Sequence, residues 1–287
     1  MQKEEKNRLE KSTLYLVGTP IGNLADISER AIKVLTEADF IAAEDTRNTM
    51  KLLGALGIKN ELVSYFEHNK RQSGERIIAR LLAGECCALV TDAGMPAISD
   101  PGEDIVRLCA ESGIAVSVIP GPCAAISALA LSALSTSRFC FEGFLSANKT
   151  ERRKQLTALV NEERTMIFYE APHKLQKTLA DMLEILGDRK ISLARELTKL
   201  NEEIIRTTLL GAVKLYEEKE PRGEYVLIID GASEEDIMRD KQNPLLELTP
   251  TQHVEHYIKN GMAKMDAIKA AAKDRGISKS EMYKLVL

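Results

Sequence analysis

The chain has 287 residues, 44% of them hydrophobic and 29% charged, a balance that excludes a disordered or fibrous protein and fits two domains plus an appendage. Its formal net charge of −4 and pI near 5.8 exclude a uniformly basic nucleic-acid binder, so any RNA contact has to be local. The opening MQKEEKNRLEK is charged throughout and lacks the apolar core of a secretory leader. The longest uncharged segment, residues 114–137, is cut by Pro120, Gly121 and Pro122, which predicts strand, loop and buried helix instead of a membrane span. Five cysteines without a C-x-x-C pair predict reduced core thiols and a cytoplasmic protein.

In chain order, LYLVG (14–18), FIAAE (40–44), LVSYF (62–66), ALVTD (88–92) and AVSVI (115–119) read as strands separated by helical segments, the alternation of a mostly parallel sheet with helices on its faces. The first of those helices is signalled by Asp26 as cap, Glu29 at the capping-box offset and one apolar face of Ala31, Val34, Leu35 and Ala38. From Phe139 a second unit follows, with FCFEGF, TMIFYEAPH, ISLARELTK, EEIIRTTL and EYVLIID as strand candidates of a mixed sheet and a helix through KLQKTLADMLEIL. The expected division is a tail over 1–12, an α/β domain over 13–137, a second over 138–232, and a linker with a helical appendage over 233–287. That appendage should hold two short helices joined at Arg275, Gly276 and Ile277, with Ile268 and Ala272 packing on Met282 and Leu285. Lys264, Lys269, Lys273, Arg275, Lys279 and Lys284 outnumber Asp266, Asp274 and Glu281 in it, which marks it as a candidate RNA-docking element against the plainer reading of a helical brace.

Ligand sites in such sheets collect beyond the carboxyl ends of strands, and four of those ends carry unusual sequence: GTPIGN, AEDTR, TDAGMPAISDPG and PGPCAA. None has the spacing of a phosphate loop or a dinucleotide fingerprint. In the third, two aspartates oppose an anion, while Gly94 and Gly102 let backbone approach a ligand and two prolines withhold donors. A cationic or carbonyl-reading ligand suits it; the plainer reading is that Asp92 and Asp100 cap turns. Scattered histidines and unpaired cysteines give no metal-ligand spacing, so no metal is expected.

LYLVGTPIGNLADI, AAEDTR, TDAGMPAISDPG, PGPCAAISAL, YEAPHKL and ARELTK, in this order, resemble the tetrapyrrole (corrin/porphyrin) methylase superfamily, and within it the branch of bacterial 16S rRNA ribose 2'-O-methyltransferases. The resemblance runs from about Thr13 to Asp230. It implies a two-domain α/β fold, S-adenosylmethionine (SAM) between the domains, a homodimer, and 16S rRNA or the 30S subunit as partner. It places the cofactor against Pro20 of the first loop, Asp92, Ala93, Gly94, Ile98, Ser99 and Asp100 of the second, and Pro120, Gly121, Cys123 and Ala124 of the third. Met95 and Ala97 depart from the family pattern, where threonine and glycine are common. Methyl transfer to a ribose hydroxyl needs alignment and a base, for which Asp45, Glu170, Glu196 and Lys199 are candidates. Arg47, Lys149, Arg152, Arg153 and Arg195 are candidates for holding RNA, with Lys70 and Arg71 as a further patch. The rival readings are methylation of a tetrapyrrole or other small molecule, and a non-catalytic RNA-binding protein of ribosome assembly.

Overall fold

The computed structural model describes residues 8–233 and 244–286. The first part of the expected tail and the stretch between Asp230 and Pro244 lie largely outside the described residues. Five strands, β1 (Thr13–Val17), β2 (Phe40–Ala43), β3 (Leu62–Ser64), β4 (Cys87–Val90) and β5 (Ala115–Ile119), form a wholly parallel sheet in the order β3-β2-β4-β1-β5. Side chains alternate across it, as a period of two requires. Tyr15, Val17, Ile41, Ala43, Ala88 and Val90 pack on one face against α1 (Glu29–Glu37) and α2 (Thr46–Ala55). Leu14, Phe40, Ala42, Cys87 and Leu89 pack on the other against α3 (Lys70–Leu82) and α4 (Gly102–Glu111). Ala31, Val34 and Leu35 form the buried face of α1 as its spacing predicted, but its cap is Ser28, whose hydroxyl accepts from the Ala31 amide. Asp26 instead ends a short 3-10 turn capped by Asn23, which displaces the helix start by two residues.

The second sheet joins β6 (Phe139–Phe144), β7 (Thr165–Glu170), β8 (Lys190–Arg195), β9 (Glu203–Thr208) and β10 (Tyr225–Ile229) in the order β6-β7-β10-β8-β9. Only β6 and β7 are parallel; the remaining pairings are antiparallel, giving the expected mixed sheet. One face is covered by α6 (Lys149–Ala158), α7 (Pro172–Leu186) and α8 (Leu209–Glu218). The other carries Ile167, Ala194, Val226 and Ile228 and is covered by Ala125, Ala128 and Leu129 of α5 (Ala124–Leu131). A helix that follows the last strand of the first sheet thus roofs the second. This contact brings the carboxyl edge of one sheet to the strand ends of the other.

The C-terminal region forms three helices, α9 (Pro250–Lys259), α10 (Lys264–Asp274) and α11 (Lys279–Val286); the last two are the pair expected on either side of Arg275, Gly276 and Ile277, and α9 precedes them. α9 begins with a full capping box, Thr249 with Gln252, and supplies Val254 to a separate core with Ala267, Ile268, Ala271, Ala272 and Met282. Leu285, expected in that core, is 56% exposed. The buried His253 fixes the bundle: its Nδ1 accepts from Arg275 Nε at 3.0 Å, so the proton sits on Nε2 and is given to Asp274 Oδ2 at 3.1 Å. Arg275 and Asp274 are therefore spent inside the bundle, while Lys264, Lys269, Lys273, Lys279 and Lys284 remain exposed.

Candidate active site

Because β4, β1 and β5 are neighbours, the loops that follow them emerge side by side. Thr19 and Gly94 exchange backbone hydrogen bonds of 2.9 and 3.1 Å, which binds the first loop to the second. The first and third loops meet backbone on backbone: a Cβ at Gly18 would stand 2.7 Å from Gly121 Cα. Gly94 adopts φ +86°, a conformation that glycine takes without cost. Asp100 organises the second loop from within, accepting from the amides of Ala97 (2.9 Å), Gly102 (2.7 Å) and Ile98 (3.3 Å). Ala97 and Ser99 are held in the left-handed region, with φ of +67° and +63°. Backbone strain of this kind concentrates at working sites.

These loops wall a cavity of about 450 Å³ whose opposite side is the second sheet. The first wall presents Ile21, Glu44, Asp92, Ala93, Gly94, Met95, Ile98, Ser99, Asp100, Cys123 and Ala124. Pro20, Pro120 and Gly121 stand behind it as loop backbone and do not line the space. Glu44 accepts from Thr91 Oγ1 at 2.6 Å, and Asp92 accepts from Asn48 Nδ2 at 3.2 Å. Burial pushes the Asp92 carboxyl up, opposed by the Asn48 bond and helped by nearby Glu44.

The second wall comes from the ends of β7 and β8 and the start of β10, which the pairing of Tyr225 with both Glu170 and Arg195 sets level. It contributes Phe144, Tyr169, Glu170, Glu196, Leu197, Lys199, Glu224 and Tyr225. Glu170 is 3% exposed; it accepts from the Ala171 amide at 2.8 Å and Thr178 Oγ1 at 2.6 Å, with Lys174 Nζ 3.3 Å away. Glu196, at φ +51°, accepts from the Glu224 amide at 2.9 Å and Lys199 Nζ at 3.0 Å, both on Oε1. The amide bond from Glu224, then that from Lys199, hold its carboxyl below the ordinary glutamate value. Burial opposes the charge on Lys199, but hydrogen bonds to Glu224 (2.7 Å) and Glu196 prevail and hold the amine above its ordinary value. Among the described residues, six lining carboxylates, at residues 44, 92, 100, 170, 196 and 224, face one lining cation, Lys199.

The structure therefore brings Glu170, Glu196 and Lys199 together and leaves Asp45 apart. Asp45 caps α2 and grips Arg47 through both oxygens, at 3.0 and 2.7 Å, bonds that bring its carboxyl down to about 2. Arg47 itself is 85% exposed beside the cavity rim. Arg152, expected to reach RNA, is instead 4% exposed and paired with Asp181 at 2.6 Å, because α6 turns it toward α7. Arg153 is held by Asp181 and Glu184, and Arg195 by Glu203 and the Arg222 carbonyl. Lys70 is likewise consumed by Glu67 and Asp104. Lys149 is exposed at the start of α6. Phe144, Tyr169 and Glu224 were not singled out in the sequence. The aromatic pair, with ring centroids 5.4 Å apart, sits on neighbouring strands, and Glu224 reaches the site only through antiparallel pairing. Among the described residues no group of three or more His, Cys, Asp or Glu is placed to hold a metal ion. Among them, too, no helix is long and apolar enough to cross a membrane.

The profile of the Tetrapyrrole (Corrin/Porphyrin) Methylases matches residues 13–212. A protein of Halalkalibacterium halodurans named Ribosomal RNA small subunit methyltransferase I is 50% identical over 284 residues, covering 99% of this chain and 98% of that one. A Thermotoga maritima protein of the same name is 47% identical over 218 residues, 76% of this chain and 98% of its own length. The crystal structure of uroporphyrin-III-C-methyltransferase from Thermus thermophilus superposes with a TM-score of 0.55 at 20% identity, over 76% of this chain and 94% of that one, a likeness of fold. With the two-sided cavity at the carboxyl edge of a parallel sheet, these likenesses make the chain a member of the tetrapyrrole (corrin/porphyrin) methylase family, within its group of ribosomal RNA small subunit methyltransferase I proteins.

Proposed function

We propose that this protein transfers a methyl group from SAM to the ribose 2'-hydroxyl of a cytidine in 16S rRNA, taken as RNA or as the 30S subunit, and that it does so in the cytoplasm as a homodimer. The observation that carries the reading is the division of the cavity into two unlike walls. One is loop, with Gly94 presenting backbone; the other is a cluster of ionisable side chains in which Glu170 is buried, Glu196 and Lys199 are partly buried and Glu224 is exposed. The near-complete overlap with relatives that bear an rRNA methyltransferase name supplies the substrate class.

SAM suits the first wall. Gly94 presents backbone to the cavity, and the lining carboxylates favour a cation. When bound, SAM supplies an electrophilic methyl group on a positive sulfur. The rest falls to the chain's own residues. A ribose hydroxyl is weakly acidic, so its oxygen must lose a proton as it attacks. Lys199, kept protonated by Glu196 and Glu224, is a fixed positive charge for the developing oxyanion and not a base. Glu196 takes the proton on Oε2, the oxygen that has no hydrogen bond among the described residues, while Oε1 remains tied to Glu224 and Lys199. Glu170, with both oxygens bonded, stiffens the wall. Arg47 and Lys149 remain outward-facing and suited to phosphates.

The homodimer is supported by β5, an open sheet edge on which Val116 and Val118 are 37% and 48% exposed. The test is transfer of labelled methyl from SAM to 30S subunits and to 16S rRNA, with the modified position mapped. Label that enters only a tetrapyrrole, or no acceptor, overturns the reading; sedimentation as a monomer overturns the dimer.

A further inference from the structure

We propose that single-stranded RNA beside the acceptor nucleotide runs along the carboxyl edge of the first sheet, away from the cavity, over a surface made by Arg47, Met50, Lys51, Phe66, His68 and Arg71. The inference rests on the reading of RNA as substrate and adds the path by which the chain holds it.

Strand order sets the path. β4 delivers Asp92 to the cavity, β2 is its neighbour, and β3 is the outermost strand. Asn48 of α2 bonds Asp92 at 3.2 Å, so α2 begins at the cavity rim. Ala43 and Ser64 are paired in register, and the Tyr65 amide donates to the Ala43 carbonyl at 2.8 Å. The turn that follows β3 therefore lies directly beside the start of α2. Arg47, Met50 and Lys51 share one face of that helix by their spacing, and Met50 is 63% exposed. Beside them Phe66 is 36% exposed, with the His68 ring edge-on to it at 6.1 Å. Arg71 projects with 95% of its side chain in solvent, its nearest acid Glu75 at 3.8 Å.

The turn is rigid. Asn69 accepts from the Phe66 amide at 2.8 Å and donates to the Ser64 carbonyl at 3.1 Å. The buried Tyr65 donates its hydroxyl to the Pro101 carbonyl at 3.0 Å, at the end of the loop that walls the cavity, and Lys70 reaches Asp104 in the first turn of α4 at 2.7 Å. Lys70 and Glu67 neutralise each other in that brace, which leaves Arg71 and Lys51 as the outward charge, with the 85% exposed Arg47, paired to Asp45, beside them. A fixed aromatic face flanked by cations in an otherwise acidic chain matches single-stranded nucleic acid, whose bases stack without sequence preference and whose phosphates take the cations. Rigidity of the turn lowers the ordering cost of that contact.

The test uses the full chain and a 16S rRNA fragment that the wild-type protein methylates. Phe66→Ala should weaken binding of that RNA about tenfold, the usual cost of one lost stacking platform. Lys51→Gln with Arg71→Gln should flatten the dependence of log affinity on log salt by about 0.7 for each cation removed. SAM affinity and thermal midpoint should stay at wild-type values in the double variant, whose residues are on the surface. Wild-type RNA affinity, salt slope and turnover in both variants overturn the path while leaving the function reading intact. Failure of the wild-type protein to methylate any RNA overturns that reading, and the path with it.

Discussion

Thr19 and Gly94 join the loops after β1 and β4 by a reciprocal pair of backbone hydrogen bonds, a two-residue bridge between strands that are neighbours in the sheet. A side chain at Gly94 would be built at φ +86° and would face Ile21 Cγ2 at 3.3 Å and the Pro122 carbonyl at 3.4 Å. Gly94→Val should therefore strain the bridge and intrude on the first wall. Affinity for SAM, measured by calorimetric titration, is expected to fall by about tenfold to a hundredfold in a protein that still unfolds cooperatively. Unchanged affinity in the folded variant would remove SAM from this wall.

Ala97 occupies φ +67°, where an L side chain costs roughly 1 kcal/mol or more. Asp100 enforces that conformation by accepting from the Ala97 and Gly102 amides at once. Ala97→Gly should release the strain and, after the larger backbone entropy of glycine in the unfolded chain, leave the protein about 0.5–1 kcal/mol more stable. Ala97→Val should be destabilising by more than that amount. Denaturant titration of the three proteins decides it, and a loss of stability on Ala97→Gly contradicts the strain.

The strands, both sheets' character and the buried face of α1 were legible because they rest on local periodicity, which one sequence displays in full. The cap of α1 was not, since Asp26 and Ser28 are equally good caps and only the 3-10 turn closed by Asn23 decides between them. The fate of Arg152 depended on Asp181, twenty-nine residues on and on another helix. Likewise the link between Glu196 and Lys199 through Glu224 was invisible, because Glu224 reaches them through the register of β10 with β8. Loop identity is written in the chain; which charges end up facing each other is written in the pairing.

Glu196 and Lys199 should act on the acceptor and not on cofactor capture. Glu196→Gln and Lys199→Met are expected to lower kcat by about 10²-fold or more with SAM affinity within a few-fold of wild type. Asp45→Asn, which retains a capping oxygen outside the cavity, should cost far less. The pH profile carries a further check. Glu196 is held below the ordinary glutamate value, so it stays ionised and competent from neutral pH down past about 4.3. Lys199 is held above its ordinary value, so its charge persists to alkaline pH past about 10.4. Turnover should be flat between those limits wherever the protein remains folded. A limb near pH 7 in single-turnover measurements would assign the proton to another group.

The C-terminal bundle has its own core around Ile268 and Met282 and its own buried polar lock, His253 with Asp274 and Arg275. Neither draws on the two sheets, so truncation after Gly231 should leave the catalytic unit folded. Arg275 and Asp274 cancel inside the bundle, leaving five exposed lysines against Asp266 and Glu281 on α10 and α11. If the bundle docks RNA, the truncated protein keeps SAM affinity, binds 16S rRNA more weakly and shows a flatter salt dependence. Each lost phosphate contact lowers the slope by about 0.7, so five lysines can account for a drop of at most about 3.5. A brace gives the opposite pattern: RNA affinity and slope persist while the unfolding midpoint falls. Filter binding across a salt series, read beside thermal unfolding of the same two proteins, separates docking from bracing.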